Sequence, residues 1–465
     1  MKKSRIPIVL LLVLASACRK KPPEQVEADA TRRPEKWLAM EPVRLLRDYV
    51  RIDTTEGPGE ERGAKFLQPI FECAGIPTEI VCPRPRRCNL IARLAGRSRR
   101  GALLLLNHID VAPVAGQTWQ EAPPFEGRIL RGYLYGRGAY DMKSLALAQA
   151  LAMRDLKSHG IVPGSDIVFI GEADEEIGQE WGIRWILDHR PDLLAGVENV
   201  LNEGGTVEVI LRDVRFFGIE TVQAGYAIGE FESTAPAPLQ ELVRKWSKLH
   251  SPVVEPHPQV RIAFDIMANQ LVSPLTDPLR HLDRVRRNPA ELAVLPDRYG
   301  SFLEARIFWE GPRPYETAAG KRTGAFTVIS VPPGVDPEDF LRPLLRDAAA
   351  AGIRVVRAFT GGPTVASPYP TPFTELIRRV TEVHFPGILF GPAPTAGGYT
   401  TSALLRQKGF PTYGFSPIPM NITDSMRRHS ANERVYLRDY LTGLQLYEDV
   451  LEEFVLNSKM CEDCH

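Results

Sequence analysis

Charge of one sign is what this chain lacks. Its 57 Lys and Arg are matched by 57 Asp and Glu over 465 residues. Capture of nucleic acid through the phosphate backbone needs clustered cations that displace counterions, so a zero balance argues against that partner class. Repeats and low-complexity tracts are also missing, although 37 Gly and 40 Pro imply many turns. With 44% apolar and 25% charged residues, disorder over most of the length is excluded. The length suggests roughly two or three domains.

An apolar run long enough to cross a bilayer is absent from the N-terminus. The twelve residues Ile6–Ala17, led by Lys2, Lys3 and Arg5, have instead the length and flanks of a secretory h-region. The run ends Leu14-Ala15-Ser16-Ala17-Cys18, which resembles a bacterial lipobox whose Cys becomes the lipidated first residue. Residues 1–17 are therefore expected to be a signal peptide and 18–36 a lipid-anchored linker. An ordinary signal peptide cleaved nearby is the other reading. Export makes a Cys82–Cys88 disulfide plausible in the hairpin expected from Thr78–Val81 and Asn89–Leu94, with two free buried thiols as the alternative. Cys73 is expected in the core at a helix end. The terminal Cys461-Glu462-Asp463-Cys464-His465 has the spacing of a c-type haem site. With no haem-sized domain around it, a terminal thiol pair is the preferred reading and haem is not expected.

From Trp37 onward, short β-rich runs alternate with helical stretches, as in an α/β domain. The four leucines Leu103–Leu106 predict a strand buried on both faces. Asp166–Gly171 and Asn199–Leu201 read as further strands, and Met142–Lys157 as a helix. Between roughly Phe216 and Pro333 apolar residues alternate, in Phe302–Trp309 and Ala325–Val331, around a helical Leu239–Leu249. This predicts an α+β insertion. Pro337–Ala351 (helix), Ile353–Phe359 (strand), and the helices Phe373–His384 and Tyr440–Leu456 are expected to return to the first domain.

Polar residues with metal chemistry cluster at the predicted strand ends. His108 and Asp110 share a face at positions i and i+2, and a carboxylate beside a metal-bound imidazole fixes its tautomer. Asp141 stands at a turn into a helix. Asp174-Glu175-Glu176 follows a buried strand, Glu203 precedes Gly204-Gly205, and His429 follows a turn-rich segment. Three consecutive acids repel one another unless cations or protons neutralise them. Mixed imidazole and carboxylate donors suit zinc-like ions better than calcium. They are too many for one tetrahedral ion, whereas two ions bridged by one carboxylate would use them all.

These segments together resemble the dizinc hydrolase superfamily of aminoacylases, acetylornithine deacetylase, glutamate carboxypeptidase and carboxypeptidase S. The carboxypeptidase S-like N-acyl-amino-acid hydrolases are the most similar branch. The resemblance is carried by His108-Ile109-Asp110-Val111-Ala112-Pro113-Val114, Trp119, Pro123-Pro124-Phe125 and Tyr135-Gly136-Arg137-Gly138-Ala139-Tyr140-Asp141-Met142-Lys143. It continues in Asp174–Gly178, Glu203–Gly205, Tyr413–Pro417 and His429, in the family's order. It implies a catalytic domain with a central mixed sheet (37–215 and 334–456), a lid (216–333) that in the family forms the homodimer contact, and a tail (457–465). It implies that Asp141 bridges two zinc ions, one also held by His108 and Glu203, the other by Glu176 and His429. Glu175 is implied as general base, Asp110 as partner of His108, and Asp141–Met142 as a cis peptide. The implied substrate is a small peptide or N-acyl amino acid with a free carboxylate.

Three departures stand out. The lid stretch Gly225–Pro238 carries no His where the family has one, and His250 and His257 do not match that motif. Ser330 or a neighbour stands where the family has an Arg before Pro-Gly. Thr400-Thr401-Ser402-Ala403 replaces Thr-Asp-Ser-Arg. A lipid-anchored metal-binding homologue without turnover is therefore the competing reading. For the envelope-lipoprotein expectation, wild-type protein should incorporate labelled fatty acid and Cys18→Ala should not. Equal labelling of both would contradict it.

Overall fold

The computed structural model describes residues 34–210, 213–247, 251–270, 275–317, 320–396 and 399–460. The signal peptide, Cys18, and the terminal Cys461, Cys464 and His465 lie outside the described residues. Among the described residues no helix is long and apolar enough to cross a membrane.

A six-stranded mixed sheet organises the first unit. Its order is Thr78–Arg84, Arg87–Leu94, Ser165–Glu172, Ser98–His108, Val197–Asn202, Thr412–Gly414. Ser98–His108 runs parallel to both of its neighbours, while Arg87–Leu94 is antiparallel to Ser165–Glu172. The Leu103–Leu106 run is buried throughout, and its alternating side chains feed two cores. Leu103 and Leu105 join Phe169 and Leu201 under the helices Lys143–Ser158 and Leu437–Met460. Leu104 and Leu106 join Val168, Ile170, Ile183 and Val200 on the opposite face. A strand of this kind needs apolar residues at every position, because neither face meets water.

A second sheet is antiparallel, in the order Arg306–Thr317, Gly320–Val331, Gly225–Ser233, Arg354–Thr360. Helices Pro236–Trp246 and Glu338–Ala350 cover it, burying Phe231, Leu239, Leu242, Ile329, Leu341 and Leu344 together. Short helices from Pro258–Gln270 to Asp297–Gly300 form a further apolar cluster around Val260, Phe264, Leu279, Leu282 and Phe302.

The insertion differs from the expected 216–333 at both ends. Asp213–Ile219 pairs with Leu389–Pro392 and Thr206–Ile210 outside the second sheet. Arg354–Thr360 pairs along Gly225–Ser233, from Ala227↔Thr360 to Glu232↔Arg354, so the helix–strand segment after Pro333 belongs to the insertion. A helix followed by a strand has the same local pattern in either unit, and only long-range pairing assigns it. Phe302 is likewise buried among the short helices, and the strand expected from there begins at Arg306. Cys73 is exposed, since it follows the outward side of helix Glu61–Glu72. Cys82 and Cys88 are joined in a disulfide.

Two-sided burial has a direct consequence. Leu104→Ala and Leu105→Ala should each cost about 2–5 kcal/mol, as large-to-small changes in a tight core do. Chemical denaturation of the two variants checks this, and a near-neutral result for either would show that one face of the strand is not packed.

Candidate metal centre

The sheet presents its site at the carboxyl ends of its parallel strands, as open α/β sheets do. His108 is the last residue of Ser98–His108, Glu175 and Glu176 follow Ser165–Glu172, and Glu203 follows Val197–Asn202. Asp141 precedes helix Lys143–Ser158, with a cis peptide to Met142. His429 comes from the last third of the chain and holds a left-handed backbone, with φ 57°. That conformation is uncommon for a residue with a Cβ and marks a constrained position.

These side chains form two groups that share one carboxylate. His108, Asp141 and Glu203 can offer one donor atom each within 4.8 Å of one another, and so can Asp141, Glu176 and His429. His108 Nε2 lies 3.2 Å from Asp141 Oδ1 and 3.7 Å from Glu203 Oε1. His429 Nε2 lies 3.1 Å from Asp141 Oδ2 and 3.1 Å from Glu176 Oε2. Each oxygen of Asp141 thus faces a different imidazole. His108, Asp141 and Glu176 are buried, Glu203 is partly so, and the His429 side chain is 57% exposed.

Charge is out of balance in this cluster. Burial, and then the charge on Asp141, pushes Glu203 up to about 8. Burial also pushes Glu175 well above the usual carboxylate range, with Glu203 and Glu176 adding to it. Hydrogen bonds to Asp141 and Glu176 raise His429 to about 11. Burial opposes the charge on His108, yet the nearby acids outweigh it and hold the ring well above its ordinary value. Four acids around two imidazoles call for extra positive charge. Glu176 Oε1 is buried and without a hydrogen-bond partner, an acceptor left open toward a cation. The donor set therefore fits two divalent ions of the zinc type.

Asp110 acts on two neighbours. His108 Nδ1 lies 2.9 Å from the Asp110 carbonyl oxygen and 3.6 Å from its carboxylate, so the carbonyl is the ring's closer partner. The carboxylate instead accepts the N–H groups of Glu175 at 3.1 Å and Glu176 at 2.9 Å. It links the His108 strand end to the acidic loop.

Two residues beyond the sequence reading support Asp141. Glu433 Oε1 accepts the N–H groups of Tyr140 and Asp141 at 3.0 and 3.1 Å, and Oε2 pairs with Arg137 at 2.6 Å. The fully buried Arg137 also donates to the Ala112 carbonyl and the Gln117 side chain. Their sequence signals are an Arg between two glycines and an acid four residues after His429. Gly138 between them has φ 81°, and a Cβ there would lie 2.6 Å from Val111 Cγ1.

The residues at the three departures are tied in by strand pairing, ring packing and hydrogen bonds. Ser330 is buried and pairs with Tyr226 across the sheet. Tyr226 in turn packs on Tyr399, with ring centroids 4.2 Å apart. Thr400 accepts from Gln223 at 2.7 Å, Thr401 donates to Glu172 at 2.6 Å, and Ser402 accepts from Asn202 at 2.9 Å.

Removal of Glu433 isolates a buried cation. Glu433→Ala should cost about 3–5 kcal/mol, the usual penalty for breaking a buried pair, and should weaken metal binding through Asp141. Thermal denaturation with metal analysis checks both, and unchanged values would remove Glu433 from the support of the site.

Residues 104–453 match the family model described as peptidase family M20/M25/M40. The probable succinyl-diaminopimelate desuccinylase of Staphylococcus aureus is 32% identical over 140 residues, which cover 30% of this chain and 34% of that protein. The chain thus aligns with about a third of that relative's length. Human aminoacylase-1 is 25% identical over 430 residues, covering 88% of this chain and 94% of that protein. Among solved structures, the M20 family metallo-carboxypeptidase Sso-CP2 from Sulfolobus solfataricus superposes with a TM-score of 0.69 at 17% identity. It covers 90% of this chain and 100% of that one, which shows a shared fold. Because the match runs from the leucine strand that ends at His108 to the helix beyond His429, the chain belongs to the M20/M25/M40 peptidase family.

Proposed function

We propose that this protein is a metal-dependent hydrolase that cleaves an amide or peptide bond in a small peptide or N-acyl amino acid. The observation that carries the reading is the pair of three-residue donor groups sharing Asp141, with Glu175 adjoining them. When bound, two divalent ions would supply Lewis acidity toward the scissile carbonyl and toward an attacking water. Glu175 takes the water's proton and delivers it to the leaving amine. Asp110, accepting the N–H groups of both glutamates, fixes the backbone that presents Glu175 and Glu176.

The family resemblance and the similarity to aminoacylase-1 and to a metallo-carboxypeptidase support a substrate with a free carboxylate. Arg428, exposed beside His429, is a cation within electrostatic reach of Asp141 and Glu203, and it suits such a group. Tyr226 and Tyr399, packed on each other, lie within electrostatic reach of Glu175, on the side where the lid stretch carries no His. The N-terminal pattern supports action at the cell envelope from a lipid anchor. A homodimer through the lid belongs to the same reading.

The two adjacent glutamates make the reading testable. Activity should be measured on a panel of N-acyl amino acids and dipeptides. Glu175→Gln should keep its metal and lose roughly a hundred- to ten-thousandfold in turnover, the range for a lost general base. Glu176→Gln should lose metal affinity as well. Retained activity in Glu175→Gln with full metal content in Glu176→Gln would contradict both roles. A metal-loaded wild type inactive on every substrate would favour the non-hydrolysing, ligand-binding reading.

A further inference from the structure

The loop from Ala173 to Trp181 carries both Glu175 and Glu176, and one buried side chain ties its two ends. Asn89, on strand Arg87–Leu94, is fully buried. Its Oδ1 accepts the N–H of Ala173 at 2.9 Å, where the loop begins. Its Nδ2 donates to the carbonyl of Trp181 at 2.8 Å, where the loop ends, and shares the Val81 carbonyl at 3.4 Å. The ends also touch directly, since a Cβ on Gly182 would lie 2.3 Å from the Ala173 carbonyl oxygen. Within the loop, Asp174 and Gln179 hold left-handed backbones, with φ 67° and 62°. Such residues persist only where surrounding contacts impose them.

Asn89 is itself held by a covalent clasp. The preceding residue, Cys88, is buried and bonded to Cys82 across the hairpin. From the same hairpin turn, Arg84 stacks over the Trp181 ring at 5.8 Å. A disulfide closing a six-residue separation contributes roughly 2 kcal/mol by restricting the unfolded chain, less than one closing a long loop. Its local effect is to fix the strand position from which Asn89 reaches the loop.

We propose that Asn89, held by the Cys82–Cys88 disulfide, is the positioning residue of the loop that presents Glu175 and Glu176. The proposal rests on the reading of Glu175 as base and Glu176 as metal ligand, but it can be read out without turnover. Hydrogen exchange on the full-length metal-loaded protein would compare wild type, Asn89→Ala and the double variant Cys82→Ser/Cys88→Ser. Amides of residues 173–181 should exchange at least roughly tenfold faster in both variants, while those of Leu103–Leu106 keep wild-type protection. On the best substrate of the panel, kcat should fall roughly 10- to 100-fold with KM within about twofold, as for a displaced catalytic group. A merely structural role would speed exchange across the whole sheet and leave kcat unchanged well below the melting temperature. Wild-type loop exchange in Asn89→Ala overturns the proposal. If Asn89→Ala does not fold, the double serine variant decides, because it keeps Asn89 and removes only the clasp. Wild-type protein without turnover would count against the hydrolase reading alone, and loop exchange would still decide this one.

Discussion

The carboxylate of Asp141, facing His108 with one oxygen and His429 with the other, is the constraint on which the site depends. A single oxygen could serve one ion. Two oxygens, each facing a separate imidazole within a separate donor group, offer two candidate cation positions that share one carboxylate. The cost is a concentration of buried negative charge, visible in the raised proton affinity of Glu203 and Glu175. The surrounding structure offsets it with fixed donors. Glu433 orients the Asp141 backbone, Arg137 neutralises Glu433, and Asp110 holds the acidic loop through two N–H groups.

The sheet makes that arrangement possible by supplying rigid strand ends. His108, the acidic loop and Glu203 leave three adjacent parallel strands, so their mutual distances are set by strand spacing. Burial on both faces, through Leu103–Leu106, keeps those strands from shifting. Asn89 extends the same logic to the loop, where regular pairing has ended and side-chain hydrogen bonds must replace it. His429 reaches the site from the far end of the chain and closes the second donor group.

Much of this was legible in the sequence because its signals are local. The four leucines specified a doubly buried strand, and His108, the Asp174–Glu176 acids and Glu203 sat at recognisable strand ends, whereas the ligand roles of Asp141 and His429 rested on the family resemblance. What escaped depended on long-range pairing or on context. Arg354–Thr360 looks like any strand, and only its ladder with Gly225–Ser233 assigns it to the insertion. The Asp110 carboxylate, expected as the partner of His108, lies 3.6 Å from its ring, with the Asp110 carbonyl nearer at 2.9 Å, and the same carboxylate also accepts two N–H groups of the acidic loop. Arg137 stood inside the segment that carries the family resemblance without a role of its own, and its buried pairing with Glu433 appears only when folding brings the two together. Asn89 gave no chemical signal, since its role is to bind two backbone groups far apart in sequence.

The central claim, two cation positions bridged by Asp141, is tested most directly by calorimetric titration of Zn²⁺ into metal-free protein in buffers of different ionisation enthalpy. The account predicts about two equivalents bound with release of protons, because His429 and Glu203 hold protons near neutral pH that the ions must displace. It also predicts that Asp141→Asn loses both binding events. A single equivalent in wild type, or unchanged binding in Asp141→Asn, would contradict it.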